Sequence, residues 1–307
     1  MNSNKFFTNR IVITVLAMFC CALWGSATPF IKLGYELMMP SKDVPSTMLF
    51  AGVRFFFAGI LTIAIYSIAR RKMLVPKTQN FPKIFKVSCF QTIIQYIFFY
   101  IGLANTTGVK GTIASGSSAF FSLIVASLIF RQEKLTVKKI FACLIGFAGV
   151  VLINLDGLDF NMNFFGDAFV IFSAISSAVS SVLVKRYSAY EDPVVISGYQ
   201  FVLGGLVMIA AGILSGGSIS VSSLSAVGVL TYLSLLSAVA YALWGTLLKH
   251  NPVSKITIFA FMTPVLGVIL SALMLNESGN VPPLNIVITL ALISTGILML
   301  NYKKENN

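Results

Sequence analysis

The sequence predicts an all-α integral membrane protein whose ten transmembrane helices form two inverted five-helix repeats. Three observations predict it. Of the 307 residues, 57% are hydrophobic and 10% charged, against roughly 45–50% and about 25% in ordinary globular domains. The apolar residues fall into runs of bilayer-spanning length, and the basic residues concentrate in alternate connections between them. A soluble chain with a mean hydropathy of +0.88 would expose large apolar patches, which drive association. Disorder, a collagen, a disulfide scaffold and a cytosolic enzyme are excluded.

The spans follow in order. Lys5 and Arg10 precede an apolar run at 11–34 in the manner of a signal peptide. That run outlasts the roughly 7–15 residues of a signal core, and no A-x-A site follows, so an uncleaved first span is expected. The remaining spans are read at 46–69, 83–105, 109–130, 137–154, 166–188, 193–215, 229–249, 253–275 and 284–302. Short links such as Ala104-Asn105-Thr106-Thr107-Gly108 and His250-Asn251-Pro252 force antiparallel hairpins.

The formal charge is +12, yet the basic residues form no single patch or stripe, so nucleic acid is not an expected partner. With the N-terminus inside, 18 of the 22 Lys and Arg lie in cytoplasmic segments. Lys32, Lys42 and Lys110 lie outside, and Arg54 lies within the second span. A miscounted span would destroy that bias. The expectation is a multi-pass protein of the cell membrane with both termini cytoplasmic, in contact with lipid. Oligomeric state is not legible. Cys20, Cys21, Cys89 and Cys143 fall in apolar stretches, no C-x-x-C pair occurs and there is one His. Neither a metal nor another cofactor is expected.

An internal repeat appears at half the chain length. Gly111-Thr112-Ile113-Ala114-Ser115 through Glu133 recurs as Ile256-Thr257-Ile258-Phe259-Ala260 through Glu277. Tyr96 pairs with Tyr241, Val53-Arg54-Phe55 with Tyr199-Gln200-Phe201, and Gly149-Val150-Val151 with Gly296-Ile297-Leu298. The repeats are assigned to 1–154 and 155–307. Because each holds five spans, an odd number, the second enters the membrane inverted. Inverted repeats characterise secondary transporters, which place the binding site near the midplane between halves.

On these residues the chain resembles the drug/metabolite transporter superfamily, EamA permease type, over nearly its whole length. The specific matches are Ala22-Leu23-Trp24-Gly25, Val53-Arg54-Phe55, Ala240-Tyr241, His250-Asn251-Pro252, Thr263-Pro264-Val265 and Leu275-Asn276-Glu277. The resemblance implies a secondary transporter for a small organic metabolite, an amino acid or related amphipathic compound, with export the implied direction. The family usually carries Pro in the fourth helix, thirteen residues before its Glu. Phe120 stands there, whereas Pro264 keeps the place in the second half, so the halves are expected to bend unequally.

Several polar and aromatic side chains are candidates to line a solute cavity. Gln91, Thr92, Gln95, Tyr96 and Phe99 share one helical face; amides cannot face lipid cheaply, so that face meets either neighbouring helices or substrate. Ser115, Ser118 and Ser122 form a stripe on the fourth helix, and Ser173, Ser177 and Ser180 one on the sixth, where close packing competes with a cavity role. Trp24, Tyr241 and Trp244, with Tyr100, suit belts or cores; Trp24 and Tyr241 lie deep in their spans, where their N–H and O–H need partners. Arg54 lies about 12 Å below the outer edge at 1.5 Å per residue. Snorkelling or a structural bond is the first expectation for it, and holding a substrate carboxylate the second. Glu133 and Glu277 mark helix ends, where anchoring precedes gating.

No Asp or Glu lies in the middle of a span, and Asp167 is nearest. This favours facilitated transport or exchange over proton coupling. Gly116-Ser117-Ser118-Ala119 superficially resembles an intramembrane protease motif, but His250 sits at the opposite membrane face from Ser118, beyond the reach of a general base. A channel is the other rival, and no filter loop or acidic ring is seen.

Overall fold

The computed structural model describes residues 3–41, 43–155, 161, 163–275 and 283–301. Every element assigned there is helical. A short helix, Ser3–Thr8, precedes α1 (Arg10–Met38), α2 (Val44–Ala69), α3 (Thr78–Ala104), α4 (Gly108–Ile129) and α5 (Val137–Ile153). The second half has α6 (Phe164–Tyr187), α7 (Pro193–Leu214), α8 (Leu224–His250), α9 (253–275) and α10 (Pro283–Asn301). Nine of these are long and apolar enough to cross a membrane among the described residues. The remaining one, α5, has 17 residues and spans about 25 Å, at the short end of the range for a crossing helix.

Local chemistry sets the starts. Asn9 accepts the amide hydrogens of Ile11 and Val12, Asp43 that of Ser46, Asp192 that of Val194 and Ser223 that of Ala226. Each satisfies donors that a helix start leaves open. Pro45 and Pro193 sit in the first turns of α2 and α7, where a missing N–H costs nothing.

The packing obeys the repeat. α2 crosses α7, and α5 packs on α10; α1 packs on α8 and α9, as α6 packs on α3 and α4. Replacing every helix by the one five places along reproduces the same pairs. Atomic detail follows the same rule. Ser88 Oγ donates to the Gln200 carbonyl at 2.9 Å, and Ser234 Oγ to the Arg54 carbonyl at 3.1 Å. At the α2–α7 crossing a Cβ on Gly205 would lie 2.8 Å from the Gly52 oxygen, and one on Gly59 2.6 Å from the Gly198 oxygen. Glycine is what lets these two backbones meet.

The connections gather into two opposite groups. On one face Arg70 pairs with Asp192 at 2.5 Å, Lys77 N–H donates to Glu191, and Asn251 Nδ2 donates to the Phe7 carbonyl. On the other, Ser220 N–H reaches the Met38 carbonyl, Ser218 N–H reaches Ser46 Oγ, and Lys110 meets Asp167 at 3.5 Å. The first is the face rich in Lys and Arg.

Three helices depart from regular α geometry. In α3 a π-helical turn runs over Cys89–Ile94, so the single regular face expected for Gln91 through Phe99 is broken by one extra residue. In α4 the helix re-forms after Ser117 and ends in a π turn at Val125–Ile129, with Phe120 between. In α9 a 3-10 turn at Ile258–Phe261 comes directly before Pro264. A proline there has no N–H for the Ala260 carbonyl and crowds it. The two halves thus depart from regular helix by different means at these equivalent places.

Candidate functional site

The π turn in α3 decides where the aromatic site falls. An inserted residue rotates the helix beyond it by about 100°. Thr92, before the rotation, donates to Gln200 Oε1 of α7 at 2.7 Å. Tyr96, after it, turns to α8 and places its hydroxyl 3.1 Å from that of Tyr241. The two tyrosines are repeat equivalents. Phe55 and Phe201, also equivalents, stack beside them at 5.1 Å and 6°.

The rings form one connected cluster. Trp24 of α1 contacts Trp244 at 4.9 Å and Tyr241 at 5.2 Å. Phe201 meets Tyr241 at 4.9 Å, and Phe55 meets Tyr96 at 4.5 Å. Tyr96 continues to Phe99 and Tyr100. Five helices thus supply an amphipathic centre. Edge-on and tilted contacts of this kind are favourable beyond the area they bury. On the helices that supply these rings, several buried polar atoms have no hydrogen-bond partner among the described residues: Trp24 Nε1, Gln95 Oε1, Gln200 Nε2, and Arg54 Nε and Nη1.

Arg54 departs from its first expectation. α2 begins at Val44, so Arg54 lies about 15 Å from the helix end at 1.5 Å per residue. It is 4% exposed and does not snorkel. Its guanidinium lies 4.6 Å from the centre of the Phe55 ring. Tyr35 and Phe201 were not singled out from sequence. Tyr35 had a usable signal: it lies eleven residues, three helical turns, beyond Trp24 on the same side of α1.

Other candidates lie outside the cluster. Gln91 is buried in α3 at the π turn. No hydrogen bond or ring contact joins Ser115, Ser118 or Ser177 to the cluster among the described residues. Ser118 and Ser177 lend backbone carbonyls to Ser122 and Ser180 within their own helices. Glu133 accepts from Ser254 N–H at 3.0 Å, Ser254 Oγ at 2.6 Å and Lys139 at 2.7 Å. It anchors the start of α9 to the end of α4. Glu277 lies outside the described residues. Asp167, buried at the start of α6, accepts from Thr106, from Asn163 N–H and from Lys110. Two hollows open elsewhere: one of about 360 Å³ between Ala104, Lys110 and Asn163, and one of about 250 Å³ between Phe90, Phe98 and Phe172. Neither reaches the aromatic cluster, whose rings close on one another.

A solved crystal structure shares the fold with a TM-score of 0.78 at 17% identity, over 95% of this chain and 96% of that one. Among curated proteins, an uncharacterized transporter of Bacillus subtilis, YvbV, is 25% identical, with 95% of this chain and 92% of that protein aligned. A probable amino-acid metabolite efflux pump of Escherichia coli is 24% identical over 86% of this chain and 87% of its own length. A chloroplastic WAT1-related protein of Arabidopsis thaliana is 26% identical over 82% of this chain, which spans 63% of the plant protein. The EamA-like transporter family matches residues 11–155 and again 164–302. With two matches covering nearly all of it and an internal repeat in its packing, this multi-pass membrane chain belongs to the EamA-like transporter family, whose members are transporters and not enzymes.

Proposed function

We propose that the protein is a secondary carrier that exports a small organic metabolite, an amino acid or related amphipathic compound, by alternating access. The two halves, 1–154 and 155–307, rock about the centre marked by Tyr96 and Tyr241. The observation that carries this reading is the 3.1 Å hydroxyl pair on repeat-equivalent helices, with the unpartnered Trp24 Nε1 on the ring that meets Tyr241. A site on the symmetry element is reached equally from either side once the halves exchange shapes. Aromatic faces suit an apolar body, and the unpartnered polar atoms suit a polar end. The efflux-pump name of the Escherichia coli relative supports both solute class and direction. The cell membrane, with both termini cytoplasmic, is the location the charge bias supports.

Reconstituted vesicles test the carrier. Preloaded unlabelled amino acid should drive saturable counterflow of labelled amino acid; flux without saturation or counterflow would make the protein a channel instead. Topology has its own test: single cysteines at Val75 and Asn161 should react with impermeant maleimide from opposite faces.

A further inference from the structure

Arg54 and Asp167 are the charged residues buried as whole residues among the described ones, and the Glu133 side chain, 7% exposed, is paired with Lys139. Asp167 is satisfied by Thr106, Asn163 and Lys110. Arg54 is not: no carboxylate pairs with it, and Nε and Nη1 are without a partner among the described residues. A guanidinium kept out of water with open donors is costly unless an anion completes it. Its surroundings are arranged for one. The Phe55 ring at 4.6 Å favours the cation and limits its tilt. Ser234 of α8 holds the Arg54 carbonyl.

The repeat supplies a comparison within the chain. Gln200 is the equivalent of Arg54, fully buried, with its Oε1 taken by Thr92. One arm of the centre is thus neutral, with its amide oxygen bonded and Nε2 open, while the other is cationic. Arg54 lies ten residues into α2 from the face opposite the basic one, and Gln200 seven into α7 from the basic face.

We propose that Arg54 is the anion subsite of this carrier. It takes the carboxylate of an organic solute on its guanidinium fork, while Trp24, Tyr96 and Tyr241 hold the apolar remainder. A planar fork matches two carboxylate oxygens with two parallel hydrogen bonds, which an amide cannot reproduce. The proposal deepens the carrier reading and rests on it.

The test uses the full chain with four matched probes: phenylalanine, phenylalanine methyl ester, phenethylamine and 3-phenylpropionate. Counterflow is read in phosphatidylethanolamine–phosphatidylglycerol vesicles, and thermal stabilisation in detergent. The native protein should favour the two carboxylates at least tenfold over the ester and the amine. R54Q, which copies the residue of the second half, should lose that preference, and R54K should keep part of it. Unchanged carboxylate counterflow in R54Q, or equal handling of acid and ester by the native protein, would overturn the subsite but leave the carrier intact. If no probe is moved, stabilisation decides. A shift with 3-phenylpropionate that R54Q abolishes supports the subsite even though the carrier reading fails, and no shift overturns it. Equal stabilisation by chloride would assign Arg54 to a small inorganic anion and overturn the solute carboxylate.

Discussion

At the scale of residues, the Tyr96–Tyr241 hydroxyl pair separates function from stability. Each phenol gives the other a partner across 3.1 Å, and an ordinary hydrogen bond contributes about 1 kcal/mol net. Tyr96→Phe and Tyr241→Phe should therefore insert normally and cost about 1 kcal/mol each in stability. Counterflow should fall much further in both, because the proposed carrier turns about this pair. Trp24→Ala should do the same by opening the ring cluster; unchanged kinetics in all three would remove the centre as a site. Why some of these residues were legible follows from the same chemistry. Trp24 and Tyr241 stood out because a polar ring edge deep in an apolar run needs a partner. Tyr35 did not, because the first span was cut at 34 while the helix runs to Met38. Arg54 stood out as a charge, but its direction depends on neighbours from α1, α3 and α8 that no local pattern encodes.

At the scale of elements, span positions were readable to within a few residues because an apolar run must match bilayer thickness. Departures from regular helix were not. The π turn at Cys89–Ile94 contains no Pro or Gly, the usual punctuation of a bend. It follows from fitting Thr92 to Gln200 and Tyr96 to Tyr241 together, a tertiary demand. Glu133 illustrates a helix end whose role was anticipated. Its carboxylate collects two bonds from Ser254 and one from Lys139, tying α4 to α9 at the basic face. Glu133→Ala leaves those donors unpaired and should cost about 1–3 kcal/mol. In a Glu133→Ala, Ser254→Cys protein the thiol should react faster with impermeant maleimide than in Ser254→Cys alone. Equal rates would mean that the contact does not hold that face shut.

At the scale of the whole molecule, the repeat reaches down to single atoms at the α2–α7 crossing. A Cβ on Gly205 would lie 2.5 Å from Phe56 N, and one on Gly59 2.7 Å from Val202 N. Offset by 146 positions, these are the same contact seen from either half. The chain broke this equivalence in side chains, Arg54 against Gln200, while keeping it in backbone approach. Gly59→Ala and Gly205→Ala should therefore cost nearly the same, each about 1–3 kcal/mol as overpacking does. Both push apart one pair of rods. A crossing already opened by the first methyl accommodates the second with less strain, so the double substitution should cost less than the two singles together. Thermal unfolding of the three proteins in detergent measures this. Costs that add to within about 0.5 kcal/mol, as independent sites do, would mean that α2 and α7 yield locally at each glycine. The halves would then not meet as the stiff surfaces that rocking requires.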